Sequence, residues 1–206
     1  MSKYKVEIKF ATDALKAIYA AGERLAITKE VTGNKGKSVT WVSTLPFENN
    51  VIEWEEDYLL YASRQEVQAG AMISKLSEEV GVCGAMYSFE SGIFQNARAV
   101  ECVGKNEYGL QNGMDMYPHL SFGLAQPVRV NDELQMGNPI NVLTVPYNHM
   151  AVMSPKEKIK VFLAADLDNG VVISREFSNA LEVEYVGNET EKTVVYDQKS
   201  GMFIPA

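Results

Sequence analysis

The sequence predicts a mainly β protein: a single antiparallel β-sandwich covering residues 1–206, with one short helix in the N-terminal region packed on it. Three observations predict this. Apolar residues recur in short runs with period-two alternation, the spacing of half-buried strands. The runs are separated by clusters of Gly, Asn, Asp and Pro, which suit tight turns. Helical spacing occurs in one short stretch only, so the βαβ alternation that a parallel sheet requires is missing. Neither an internal repeat nor a low-complexity linker divides the chain.

Residues 3–10 place Tyr4, Val6, Ile8 and Phe10 on one side and Lys3, Lys5, Glu7 and Lys9 on the other, which predicts a half-buried strand. Thr12 is the expected N-cap of the helix, and Asp13 suits the positive end of its dipole. Ala14, Leu15, Ile18 and Ala21 follow at helical spacing until Gly22 ends it. Residues 24–31 and 37–45 read as a hairpin closed by Thr32-Gly33-Asn34-Lys35-Gly36. Residues 51–61 form one long strand, with Ile52, Trp54, Tyr58 and Leu60 inward and an acidic face of Glu53, Glu55 and Asp57.

Shorter strands are expected at 67–76, 86–89, 93–103 and 119–124, and the Gly-, Asn- and Tyr-rich residues 104–118 read as a loop, either a binding element or a mobile surface excursion. The last third predicts antiparallel strands at 140–145, 158–164, 171–177, 181–186 and 192–197. Turns at 166–170, Gly187-Asn188 and Ser200-Gly201 separate them.

Composition excludes several classes. Hydrophobic residues make up 46% of the 206 and charged residues 22%, enough to build a core and unlike a disordered chain. With 19 basic against 27 acidic side chains the formal charge is −8, and no basic cluster is present, so nucleic acid is not an expected partner. Residues 1–10 alternate charged and apolar side chains instead of forming an apolar run. The chain is therefore expected to be made in the cytoplasm without a signal peptide, reaching a target membrane only after release. Cys83 and Cys102, each in an apolar stretch, are expected to be buried free thiols.

No catalytic residue, cofactor or metal site is expected. His119 and His149 lie in no nucleophile motif, and the two cysteines do not match zinc-ligand spacing. Asp166-Leu167-Asp168-Asn169-Gly170 has its glycine one place too early for a calcium loop and reads as a hairpin turn. Paired carboxylates at Glu53, Glu55, Glu56 and Asp57 would suit sugar hydrolysis, but alternation along one strand face reads as a solvated surface. Candidate ligand-binding residues are instead Tyr108 and Tyr117, flanking the 104–118 loop, and Tyr147, Asn148 and His149 after Pro146. Tyrosines in turns, apolar in body and polar at the tip, suit sugar or headgroup recognition.

Two stretches carry a family likeness: ALKAIYAAGERLAITKEVTGNKGKSVTWVSTL at 14–45 and GNPINVLTVPYNHMAVMSPKEKIKVF at 137–162. The first resembles the order of amphipathic helix, strand, Gly/Asn turn and Trp-bearing strand in actinoporin-like cytolysins, the pore-forming β-sandwiches of sea anemones, and in their lectin-like fungal relatives. The second resembles that family's apolar strand, Val-Pro-aromatic-Asx step and basic strand. The resemblance implies recognition of a glycan or membrane lipid headgroup by loops at one end, with Tyr147 at the aromatic position after proline and a helix able to enter a bilayer. In this chain, however, a strand precedes the helix, and Asn148 to Met153 holds no Trp or Tyr.

The expectation is thus a non-enzymatic recognition protein for a glycan or lipid headgroup, with a pore-forming cytolysin or defence toxin as its extreme form. The alternatives are a homo-oligomer that self-assembles through sheet edges and Met-rich surfaces such as Met150 and Met153, and a carboxylate-dependent glycosidase.

Overall fold

The computed structural model describes residues 2–34, 36–95, 97–117, 119–173 and 177–206. In chain order the elements are β1 (Lys3–Lys9), α1 (Thr12–Ala20), β2 (Glu23–Gly33), β3 (Lys37–Ser38), β4 (Val42–Thr44), β5 (Asn49–Glu55) and β6 (Leu59–Ser63). Next come β7 (Ser77–Val80), β8 (Ala85–Glu90), β9 (Ile93–Phe94), β10 (Arg98–Ala99), β11 (Tyr108–Asn112) and β12 (His119–Val130). The chain finishes with β13 (Glu133–Pro139), β14 (Asn141–Pro146), β15 (Met150–Ala165), β16 (Leu181–Glu184), β17 (Glu191–Asp197) and β18 (Met202–Pro205).

These strands make two packed sheets, the sandwich that the alternation predicts. One runs β18-β17-β1-β5-β12-β14-β3, with β6, β7 and β13 attached beside this path. The other runs β10-β8-β11-β15-β2-β4, with β9 and β16 attached. A single apolar core lies between them, joining Val6, Ile8, Ile52, Leu60, Phe122 and Leu124 to Leu25, Ile27, Ile159 and Val161. Helix α1 buries Ala14, Leu15 and Ile18.

Two strands are bent by inserted residues. Arg129 of β12 faces Glu53, which would put Asp57 opposite Ala125, yet Leu59 stands there. Residues 56–58 are thus looped out, and the expected strand at 51–61 is broken into β5 and β6. In β15, Pro155 faces Val31 while Ile159 faces Lys29, so four steps of β15 match two of β2. Bulges of this kind turn side chains toward a face they would otherwise avoid.

Several expectations are corrected. Thr12 is the first helical residue, not the cap: Ala11 is the N-cap, without a side-chain hydrogen bond, and the Thr12 hydroxyl donates to Glu48 instead. Ala21 is exposed. The 24–45 hairpin forms between β2 and β4, but β3 leaves it to pair with β14 in the opposite sheet. Residues 67–76 form no strand. They lie across the outer face of β6, where Val67, Ala71 and Ile73 pack on Tyr61, Ala125, Val142 and Val172.

Likewise, 104–118 is not a continuous loop, since it contains β11, a central strand with Leu110 fully buried. Gly109 is there for close packing: a Cβ would stand 2.6 Å from Val103 and 2.9 Å from Met86. Residues 166–170 turn the chain, but β15 pairs with β16 and not with 171–177. Val171 and Val172 instead bridge Met72 and Val39, and residues 174–176 lie outside the described residues. Among the described residues two pairings are parallel, β1 with β17 and β8 with β11. Chain crossing between the sheets before β17 frees it from the hairpin rule, which β15–β16 and β17–β18 obey.

Candidate functional site

Three loops at one end of the sandwich are tied together by Asn112, the last residue of β11 and fully buried. Its backbone N–H donates to His149 O at 3.0 Å and its carbonyl accepts from Asn148 N at 2.7 Å. The side-chain Nδ2 donates to Val145 O at 2.9 Å, and Oδ1 accepts from Met114 N at 3.0 Å. Met114 in turn offers its sulfur to Gly92 N at 3.3 Å, and Gly113 N donates to Phe89 O at 2.9 Å. The β8–β9 turn, the segment after β11 and the β14–β15 turn therefore share one buried polar hub.

The β14–β15 turn holds three of the sequence-predicted residues. His149 N donates to Pro146 O at 3.0 Å, closing a β-turn, and Asn148 takes the left-handed backbone (φ 59°) that asparagine tolerates. Asn148 Oδ1 accepts from Gln111 Nε2 at 3.3 Å. His149 Nδ1 donates to the Tyr147 carbonyl at 2.9 Å, which orients the exposed ring. Tyr147 is 46% exposed, and Met150, at the start of β15, 54%.

Tyr117 adjoins them. It is half-buried, with the Arg64 guanidinium 4.3 Å above its ring. Beside it Met116 is 78% exposed, and Ile93 on the neighbouring turn is exposed too. Tyr108, by contrast, is a correction. It sits in β11 at 2% exposure, its hydroxyl accepting from Cys83 Sγ at 2.9 Å and its ring 5.6 Å from Tyr58, so its tip cannot meet a ligand. The side chain of His119 lies outside the described residues.

A second constellation, not foreseen, lies between the sheets where the two bulges meet. Lys29 has a fully buried side chain whose ammonium stands 5.1–5.6 Å from the ring centres of Tyr58, Trp54 and Trp41. The β15 bulge turns Glu157 inward, and its two oxygens accept from Lys29 Nζ at 3.0 and 2.9 Å. They also accept from Trp54 Nε1 at 2.8 Å and Tyr58 hydroxyl at 2.7 Å. Desolvation pulls the Lys29 pKa down to about 8, against the counteracting pull of Glu157. On the other bulge, Glu56 accepts from the Tyr4 hydroxyl at 2.7 Å, and burial helped by that bond raises the Tyr4 pKa to about 12. Alternation did hold a signal for Lys29, which shares the inward parity of Leu25 and Ile27.

The acidic run is thereby divided. Glu53 pairs with Lys3 at 2.9 Å, Glu56 with Tyr4, and Glu55 and Asp57 face outward in solvent. Cys83 and Cys102 are free thiols, but both are exposed where burial was expected, since 82–84 and 100–102 are turns and not strand interiors. No family model matches the chain, and no curated protein matches it.

Proposed function

We propose that this chain is a recognition protein without a catalytic role, docking its Asn112-tied loop end on a target surface through a glycan or lipid headgroup. The observation that carries this is the grouping of exposed Ile93, Met116, Tyr147 and Met150 around the polar turn of Asn148 and His149. Folding leaves these side chains uncovered while fixing the backbone beneath them with buried hydrogen bonds. A rigid platform with an apolar rim and polar centre is what surface recognition needs, because little ordering entropy remains to be lost on docking. Likeness of the 137–162 stretch to the actinoporin-like family supports the same end, with Tyr147 in the ligand-facing position.

A pore-forming version requires α1 to leave the body. Strand β1, immediately before it, is paired on both edges, with β5 and with β17, and α1 has three residues in the core. Docking without perforation is therefore the preferred form. The test is co-sedimentation and dye leakage with vesicles made from total lipid extract, beside a glycan array. Binding in either, lost in Tyr147→Ala/Met116→Asp, supports the reading; no binding in both overturns it.

The self-assembly reading keeps one specific observation in its favour. Val80 on edge strand β7 is 65% exposed, and Leu134 and Met136 on β13 are 52% and 68% exposed. Concentration-dependent oligomers without ligand, lost in Val80→Lys, would favour it.

A further inference from the structure

Among the described residues, the outer face of the second sheet is covered only in part. Ala26, Phe162 and Ala164 are sealed beneath Leu167, Ile173, Phe177 and Ala180. Next to that patch, where β3 departs for the opposite sheet, a cleft of about 560 Å³ stays open. Small-molecule sites range over roughly 300–1,000 Å³.

The register gives this cleft two chemically different ends. Lys160 of β15 stands opposite Thr28 of β2 on one side and Glu182 of β16 on the other, making a polar row across three strands. Phe162 lies two residues along β15 on the same face, about 7 Å away at the usual strand rise. Its ring stacks on Phe177 with centroids 4.3 Å apart and planes 15° from parallel, giving a flat apolar wall. Lys37 and Ser38 of β3 form the opposite lip, held by the bond from Ile173 N to Ser38 O at 2.9 Å.

The polar end offers accessible hydroxyls. Among the described residues neither the Thr28 nor the exposed Ser38 hydroxyl makes a hydrogen bond, and the Thr28 oxygen is not sealed from the cleft although the residue is only 5% exposed. Lys160 is engaged by Glu182 at 3.2 Å, whereas Lys37 makes no ion pair among the described residues. Lys37 and Lys160 against Glu182 leave the described lining at +1, in a chain whose total is −8.

We propose that this cleft binds a small amphiphile, its flat apolar body against the Phe177 ring that Phe162 backs and its anionic head on Lys37 and the Thr28 and Ser38 hydroxyls. The site is separate from the loop end and does not depend on the function proposed there.

The test is a fluorescence titration with 8-anilinonaphthalene-1-sulfonate, repeated with its uncharged analogue N-phenyl-1-naphthylamine. Expected are saturable one-site binding of the sulfonate and weaker binding of the analogue. Lys37→Glu, at an exposed position that folding does not need, should weaken the sulfonate by about tenfold or more, the scale of one charge-assisted hydrogen bond. Thr28→Val, which keeps the shape and removes the hydroxyl, should weaken it less, and Tyr147→Ala/Met116→Asp should leave it unchanged. Absence of saturable binding, equal affinity for the analogue, indifference to Lys37→Glu, or loss in the loop-end variant would each overturn the proposal.

Discussion

At the scale of single residues, the most consequential contact is Lys29 with Glu157. Cutting a buried pair on one side strands the other charge in a medium that solvates it poorly, which costs about 3–5 kcal/mol. Glu157→Gln should lower the unfolding free energy by that order in denaturant titrations, whereas Lys29→Met with Glu157→Gln should cost less than the single change. The pair also sets a pH dependence. Lys29 gives up its proton near pH 8 when folded but near 10.5 when unfolded, so between about 8 and 10 the unfolded chain binds more protons and stability rises with pH. Above 10 the sign reverses, because burial holds Tyr58, Tyr61 and Tyr108 protonated in the folded state. Thermal melts across this range should show the rise in wild type and none in Lys29→Met. Asn112 is the corresponding residue of the loop end. Asn112→Ala strips two side-chain bonds from a buried hub, so it should cost about 2–3 kcal/mol and speed hydrogen exchange at Asn148.

At the scale of elements, two changes test how local rules were met. Ala11 has the extended backbone of an N-cap but no side chain to fill the role, so Ala11→Ser should stabilise α1 by about 1 kcal/mol, read as a shift in denaturation midpoint. Gly123 lies in mid-strand with the Tyr61 ring across it, the Tyr61 hydroxyl donating to Asn141 O at 2.6 Å. A Cβ there would stand 2.1 Å from Asn141 O, so Gly123→Ala should destabilise by at least about 2 kcal/mol. Such glycines explain what the sequence hid. Period-two alternation made β1 and β5 legible, because each has one face in the core. Gly109 helped 104–118 read as a loop, although it serves close packing against Val103 and Met86, whereas Gly123 fell within an expected strand whose close packing on Tyr61 and Asn141 was hidden. The bulges at 56–58 and 155–159 were likewise invisible, since only pairing with β12 and β2 defines them. At the proposed site, the turn through Tyr147, Asn148 and His149 was legible in the turn chemistry after Pro146. Tyr108 misled because its partners, Tyr58 and Cys83, come from other parts of the chain, and Asn112 carries no local signal at all.

At the scale of the whole molecule, the sandwich separates two kinds of surface. Long strands β12 and β15 run through the body and carry the core, while exposed apolar side chains gather at loops and edges, away from the buried charge pair. A negatively charged chain gains nothing from adsorbing to anionic membranes, so the docking proposed for the loop end relies on specific contacts there. The most direct measurement is co-sedimentation with vesicles reconstituted from a total membrane extract, phospholipids and glycolipids together, comparing wild type with Tyr147→Ala/Met116→Asp. Saturable binding by wild type, weakened by about tenfold or more in the variant, is the predicted result. Equal binding by both proteins, or none by either, would contradict recognition through this end.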